Sequence, residues 1–215
     1  MQELEAGLDE IRGAPEDRGV LRLIVRRPQV NAREVLEEGQ LDLTDGLVGD
    51  RWGARKGSAD PDMQLNIMNA RAIALVAHST DRWALAGDQL YIDLDVSADN
   101  LPPGTRLGLG SAVIEVTEQP HTGCGKFAAR FGNDAVRFVN SPEGRQLRLR
   151  GLNAKVVQPG VIRVGDIARK LQAPLRGARP PSPTPRERSH PPGSTGPPDA
   201  SACSTTAAFR LPVRP

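Results

Sequence analysis

The chain has 215 residues, room for one domain of ordinary size and an appendage. Six of its 28 lysines and arginines, but only two of its 26 acids, fall in the last 44 residues. The first 171 thus carry 22 basic against 24 acidic side chains and lack the net basic domain expected of a nucleic-acid binder.

The opening MQELEAGLDEIR places Leu4, Leu8 and Ile11 at helical spacing and predicts a short amphipathic helix ending near Gly13 and Pro15. It is acidic where a signal peptide would be basic and then apolar, and no apolar run reaches the length of a membrane span. A soluble, cytoplasmic protein is expected. Next comes VLRLIVRRP, with Leu21, Leu23 and Val25 alternating against Arg22, Ile24 and Arg26, the period of a strand stopped by Pro28. AREVLEEGQLDL predicts a second extended segment, and TDGLVGDRWG is too glycine-rich for a helix interior and reads as a loop.

Gln64 to Met68 alternates as a strand, and Asn69 caps a helix predicted over ARAIALVAHS. In DQLYIDLDVS, residues Leu90, Ile92 and Leu94 face one way and Tyr91, Asp93 and Asp95 the other, a half-buried strand whose preceding turn is shaped by Asp88. After the NLPPG turn, TRLGLG and AVIEVTEQ predict two short strands joined around Gly110 and Ser111. A helix over FAARFGNDAVRFVNS, broken at Gly132, leads to three further short segments of extended type: QLRLRG, NAKVVQPG and VIRVGDIARK. Trp52 and Trp83 are assigned to packing. From Gln172 onward the chain holds 11 of its 19 prolines and has no aliphatic periodicity, so this tail is expected to be disordered.

About eight short strands follow one another with two or three helices between them. That pattern predicts a mainly β, barrel-like and mostly antiparallel fold, not a doubly wound parallel sheet. No GxGxxG, P-loop, paired CxxC or HExxH supports a dinucleotide, nucleoside triphosphate or zinc site.

The sharpest chemical signal is HTGCGKF, residues 121–127, at the end of a predicted strand. Gly123 and Gly125 leave the Cys124 sulfur open to approach, while Lys126, and His121 if protonated, favour the thiolate. The alternative is a half-buried loop thiol beside a solvated lysine. A disulfide to Cys203, within the proline-rich tail, is not expected.

Taken in order, GLVGDRW, QLNIMNARAIALVA, AGDQLYIDLDVSADNLPPGTRLGLG, GCGKF and the closing VIRVGD closely resemble the MOSC domain, the C-terminal domain of molybdenum cofactor sulfurases, in its stand-alone bacterial type. The resemblance spans about Leu21 to Lys170 and divides the chain into a lead-in over residues 1–19, the domain over 20–171 and the tail over 172–215. It implies that Cys124 either carries sulfur as a persulfide or ligates the metal of molybdenum cofactor (molybdopterin), since a thiolate is suited to both. With that implication, His121 becomes a proton donor, a stabiliser of the thiolate or only a turn residue, and Lys126 an electrostatic partner of the sulfur. Arg51, Arg148 and Arg150 become candidates for a cofactor phosphate, because guanidinium groups bind phosphate bidentately. Asn66 and Asn69 become candidates for a pterin edge, with helix capping the alternative for Asn69.

Three functions follow: a cofactor-binding or sulfur-carrying module, a molybdenum-dependent reductase of N-hydroxylated compounds, and a cofactor-free cysteine transferase or hydrolase. The resemblance includes no aminotransferase-like part, so no pyridoxal phosphate site is expected. Sulfur would come from a donor protein and electrons from separate electron-transfer proteins. A cysteine hydrolase would need a separately placed base and an orienting third group, which the sequence does not offer.

Overall fold

The computed structural model describes residues 1–52 and 60–172. The tail and Cys203, with the expectations placed on them, lie outside the described residues. The predicted N-terminal helix is two short ones, α1 (Gln2–Ala6) and α2 (Leu8–Arg12), meeting at Gly7. Their apolar residues Leu4, Leu8 and Ile11 pack together on the same cluster, as their spacing requires.

The strands are β1 (Arg18–Arg26), β2 (Glu34–Leu36), β3 (Glu38–Asp42), β4 (Gly46–Leu47), β5 (Leu65–Asn69), β6 (Leu90–Asp93), β7 (Arg106–Leu109), β8 (Ala112–Val116), β9 (Leu152–Gln158), β10 (Gly160–Arg163) and β11 (Ile167–Leu171). Seven of them run β1-β11-β7-β8-β9-β5-β6, and β6 pairs again with β1, which closes a barrel. Every pairing is antiparallel except that of β5 with β6. That parallel pair is a direct consequence of the helix predicted between them: α3 (Ala70–Ala77), followed by a 3-10 turn over Thr80–Ala86, carries the chain back to the same end of the sheet. The barrel is therefore mixed, with an antiparallel majority.

Two predicted extended segments each serve two sheets. AREVLEEGQLDL divides into β2, which extends β1, and β3, which joins β4 and β10 in a separate three-stranded sheet. VIRVGDIARK divides at a turn containing Gly165 into β10 and β11. Around Gly110 the expected β7–β8 hairpin forms. Gly110 has φ of +57°, and a Cβ there would lie 2.3 Å from the Val161 carbonyl oxygen, so no larger residue fits.

One expected strand is absent. QLRLRG forms the end of α6 (Pro142–Gln146) and a turn, with Arg148 in the left-handed region at φ of +48°. The cause lies just upstream, where Ser141 accepts the Gly144 amide at 2.9 Å and Pro142 occupies the first helical turn; together they start a helix that the Leu–Arg alternation conceals. The preceding helix is broken as predicted, into α4 (Gly125–Phe131) and α5 (Asn133–Asn140), by Gly132.

The core has two parts. Leu21, Ile24, Leu65, Ile67, Leu90 and Ile92 belong to the barrel interior, while Val25, Met68 and Tyr91 belong to a second cluster with Ile73, Phe127 and Phe138 of the helices. Tyr91 is thus fully buried, where the alternation had put it on an open face, because helices cover that side of β6. Its hydroxyl donates to the Trp83 carbonyl at 2.9 Å. On β1 a register shift between Leu21 and Leu23 turns Ile24 inward beside Leu21, which corrects the simple alternation read from that strand.

Candidate functional site

A cavity of about 360 Å³ opens beside the Cys124 loop. Among the described residues six cations line it, Arg27, Arg33, Arg51, Lys126, Arg130 and Arg150, with Asn66, Trp52, His121 and Phe127. Among the described residues Asp60 is the one carboxylate on this wall. Apart from Arg148 and Asn69, the residues expected to serve the site come together here.

Cys124 stands immediately before α4, exposed and free. Its thiol is held below the ordinary thiol value chiefly by the Phe127 backbone amide, against an opposing effect of burial, with further help from the Lys126 amide and then from the Arg150 and Lys126 charges. The expectation of an activated thiol agrees with this environment, but the ranking differs from the sequence reading. Backbone N–H groups lead, and the Lys126 ammonium contributes least of the causes named. Gly123 is fixed from α5, its N–H donating to Asn140 Oδ1 at 2.9 Å and its carbonyl accepting from Asn140 Nδ2 at 3.0 Å. The loop bearing the sulfur is therefore pinned to the helical layer.

His121 does not stabilise the thiolate by charge. Burial, reinforced by Arg150, pushes its pKa down to about 4 in spite of Asp88, so the ring is neutral near pH 7. Its Nδ1 lies 3.4 Å from Asp88 Oδ1 and is buried with no hydrogen-bond partner among the described residues.

Asp88 does more than shape a turn. Fully buried, its carboxylate accepts from Arg150 Nη1 at 2.9 and 2.7 Å, while Arg150 Nη2 donates to the Ala86 carbonyl at 3.0 Å and the guanidinium carbon lies 4.9 Å from the Phe127 ring centre. A second buried pair also lines the cavity through its arginine. Arg27 Nε and Nη2 donate to the two Asp50 oxygens at 2.8 and 3.0 Å, and Arg27 Nη1 donates to Asn66 Oδ1 at 3.1 Å. Asn66 Nδ2 in turn donates to Asn153 Oδ1 at 2.6 Å, which holds the amide at the wall. Guanidinium–carboxylate pairs of this kind are costly to break once buried, so they fix the shape of the cavity.

Arg148 is elsewhere. Its Nη1 donates to the Leu101 carbonyl at 2.7 Å and its side chain lines a different cavity, so the structure does not bring it to the cysteine. Its alternating partner Arg150 is brought there because the turn after α6 sends the two side chains apart. Asn69 caps α3, accepting from Arg71 and Ala72 amides, and donates to the Leu94 carbonyl. Sequence reasoning missed Arg27, Arg33, Asp50 and Arg130. For Arg27 and Asp50 a signal existed in the adjacent charges of RRP and GDRW; Arg33 and Arg130 had none.

The fold is thus a mixed seven-strand barrel with an exposed thiol of lowered pKa at a cationic cavity. The MOSC domain matches residues 54–169, more than half of the chain, and the protein belongs to that family, one that binds molybdenum cofactor. Among solved structures, a hypothetical protein is 19% identical with a TM-score of 0.51, covering 76% of this chain and 71% of its own. The YuaD protein of Bacillus subtilis is 16% identical with a TM-score of 0.50 over 72% of this chain and 97% of its own. YiiM of Escherichia coli is 18% identical with a TM-score of 0.49 over 72% and 70%. The first two share the fold. No curated protein matches the sequence. Among the described residues no helix is long and apolar enough to cross a membrane.

Proposed function

We propose that the cavity binds molybdenum cofactor with the Cys124 sulfur directed to the metal. The observation that carries this reading is the exposed, acidified Cys124 thiol on a wall where cations outnumber carboxylates. The residues fit such a group: a soft sulfur for a metal already bound through sulfur, cations for an anionic ligand, and buried polar atoms at His121 Nδ1 and Arg150 Nε that lack partners among the described residues. Bound there, the cofactor would supply two-electron redox chemistry at molybdenum.

The chain's own residues would supply the rest. Cys124 presents its sulfur, whose ionisation the Phe127 and Lys126 amides favour. Asn66, held by Arg27 and Asn153, offers its amide edge to a heterocycle, and Arg51 and Lys126 compensate negative charge. Neutral His121 can accept a proton near pH 7 only at an energetic cost, which favours a positioning role over general acid catalysis.

A second reading, sulfur carriage, is favoured by the exposure of Cys124. Its thiolate would attack the outer sulfur of a donor protein's persulfide, forming a new S–S bond as the donor leaves as a thiolate, with no net oxidation. Reduction of N-hydroxylated compounds would add separate electron-transfer proteins to the cofactor reading. Cofactor-free cysteine catalysis has Asp88 3.4 Å from His121, but among the described residues no hydrogen bond joins His121 to Asp88 or Cys124 to His121, so the base is neither oriented by the carboxylate nor engaged with the sulfur.

The test compares wild type with Cys124→Ser, both purified from a host that makes the cofactor, for molybdenum, pterin and cyanide-labile sulfur. Serine offers a hard, weakly acidic oxygen, and loss of molybdenum or sulfane sulfur in a folded variant is expected. Equal contents in both proteins would remove Cys124 from the function.

A further inference from the structure

The 3-10 turn over Thr80–Ala86 ends at Gly87, and its last carbonyls have no partners of their own turn to accept from. Four arginines from three separate parts of the chain fill them in succession: Arg27 and Arg33 between β1 and β2, Arg130 in α4 and Arg150 after α6. Arg33 Nε donates to Ala84 at 3.2 Å, Arg130 Nη1 to Leu85 at 2.6 Å, Arg150 Nη2 to Ala86 at 3.0 Å and Arg27 Nη1 to Gly87 at 2.7 Å. All four line the cysteine cavity.

They are not equivalent. Arg27 is neutralised by Asp50 and Arg150 by Asp88, both carboxylates being fully buried as side chains. Arg33 and Arg130 have no carboxylate partner among the described residues, yet they share one small space. A Cβ on Gly87 would sit 3.3 Å from Arg33 Nη2 and 3.7 Å from Arg130 Nη1, so the glycine, with φ of +90°, leaves that space open. Burial and then the charge of Arg130 both weaken the hold of Arg33 on its proton, as expected of a half-buried cation beside a second one with no carboxylate partner among the described residues. Carbonyl capping accounts for Nε and, through the Ala32 carbonyl at 2.6 Å, Nη1 of Arg33, and for Nη1 of Arg130. It leaves Arg33 Nη2 and the repulsion between the pair unexplained.

We infer that Arg33 and Arg130, across the open face of Gly87, form an oxyanion subsite for the phosphate group of a phosphorylated ligand. Two planar guanidinium groups already anchored on carbonyls present their remaining N–H groups with little further loss of freedom, and a dianion between them removes their mutual repulsion. This subsite is distinct from Arg51, Arg148 and Arg150, which the sequence had nominated. For the source of the phosphate, the assignment rests on the cofactor reading; for the anion chemistry it does not.

The experiment titrates inorganic phosphate into the full chain purified without cofactor, by calorimetry at fixed ionic strength. Wild type is expected to bind, and Arg33→Gln and Arg130→Gln are each expected to weaken binding roughly tenfold or more, the worth of a charge-assisted contact. Glutamine retains a donor for the carbonyl, and Arg130→Lys, which keeps the charge, is expected to retain most of the affinity should a glutamine variant fail to fold. No binding by wild type, or affinity unchanged in both glutamine variants, overturns the assignment. A repeat on cofactor-loaded protein separates the sources: phosphate binding lost on loading identifies the cofactor's own phosphate as occupant, and binding retained identifies a second phosphorylated ligand; either outcome places a phosphate at this pair. A chain that never loads cofactor would end the cofactor reading while the titration still decides the subsite.

Discussion

Acidification should unfold this protein partly through one histidine. His121 has a pKa of about 4 when folded against an ordinary 6.5, so below pH 6.5 the unfolded chain binds a proton that the native state refuses. The depressed value makes the stabilisation complete above pH 6.5 and progressively lost as the pH falls toward 4. Its full size is about 3 kcal/mol, since each pH unit separating the folded from the unfolded value is worth about 1.4 kcal/mol, and near pH 5 the slope from this group is about 1.2 kcal/mol per pH unit. Urea denaturation of wild type and His121→Gln at pH 7, 6, 5 and 4 should therefore give curves of stability against pH that diverge, with wild type losing about 3 kcal/mol more than the variant across the range. Other acids titrate alike in both proteins and cancel in the difference. Parallel curves, or an imidazole resonance of His121 that titrates above pH 6, would refute the buried neutral ring and with it the account of how His121, Asp88 and Arg150 share charge.

The pH dependence of iodoacetamide alkylation should place the Cys124 thiol below a free cysteine, and Lys126→Ala should raise it only part of the way back, because backbone amides lead its acidification; full restoration would reverse that ranking. Asp88→Asn should cost about 3 to 5 kcal/mol in chemical denaturation by leaving Arg150 charged and buried, and Asp88→Asn with Arg150→Met should recover part of it. A loss under about 1 kcal/mol for the single variant would show that the pair is solvated. Arg148→Gly should leave molybdenum content unchanged and lower stability by only about 1 kcal/mol, since the left-handed backbone suits glycine and one hydrogen bond to Leu101 is lost; a fall in molybdenum with the fold intact would return Arg148 to the site.

The barrel was legible because strand alternation is local. Leu90 and Ile92 point inward as their period of two requires, Asn69 caps its helix, and Gly132 breaks one. Tyr91 was misread because whether the second face of β6 is open depends on helices tens of residues away, which a window of sequence does not contain. The Ser141–Pro142 start signal was present but yielded to the louder alternation of QLRLR, and that choice also put Arg148 beside Arg150 on paper when the turn separates them. Cys124 stood out because its environment is built from its immediate neighbours, two glycines and the amides of α4.

Asp88 shows why such legibility stops at the site. Its role is written in Arg150, 62 residues along the chain, and in His121, and the same carboxylate in GDQL reads equally well as a turn former. The arginines bound to carbonyls 84 to 87 are the same case in stronger form, since what recruits them is backbone polarity that any residue type could supply. A buried carbonyl at the end of a 3-10 turn must find a donor, and here arginine meets that need while carrying charge to the cavity wall. Among the described residues, two of the four charges are cancelled by buried carboxylates and two are not. Since donors without charge would have satisfied the carbonyls at lower electrostatic cost, the surplus on Arg33 and Arg130 finds its reason in what the cavity holds.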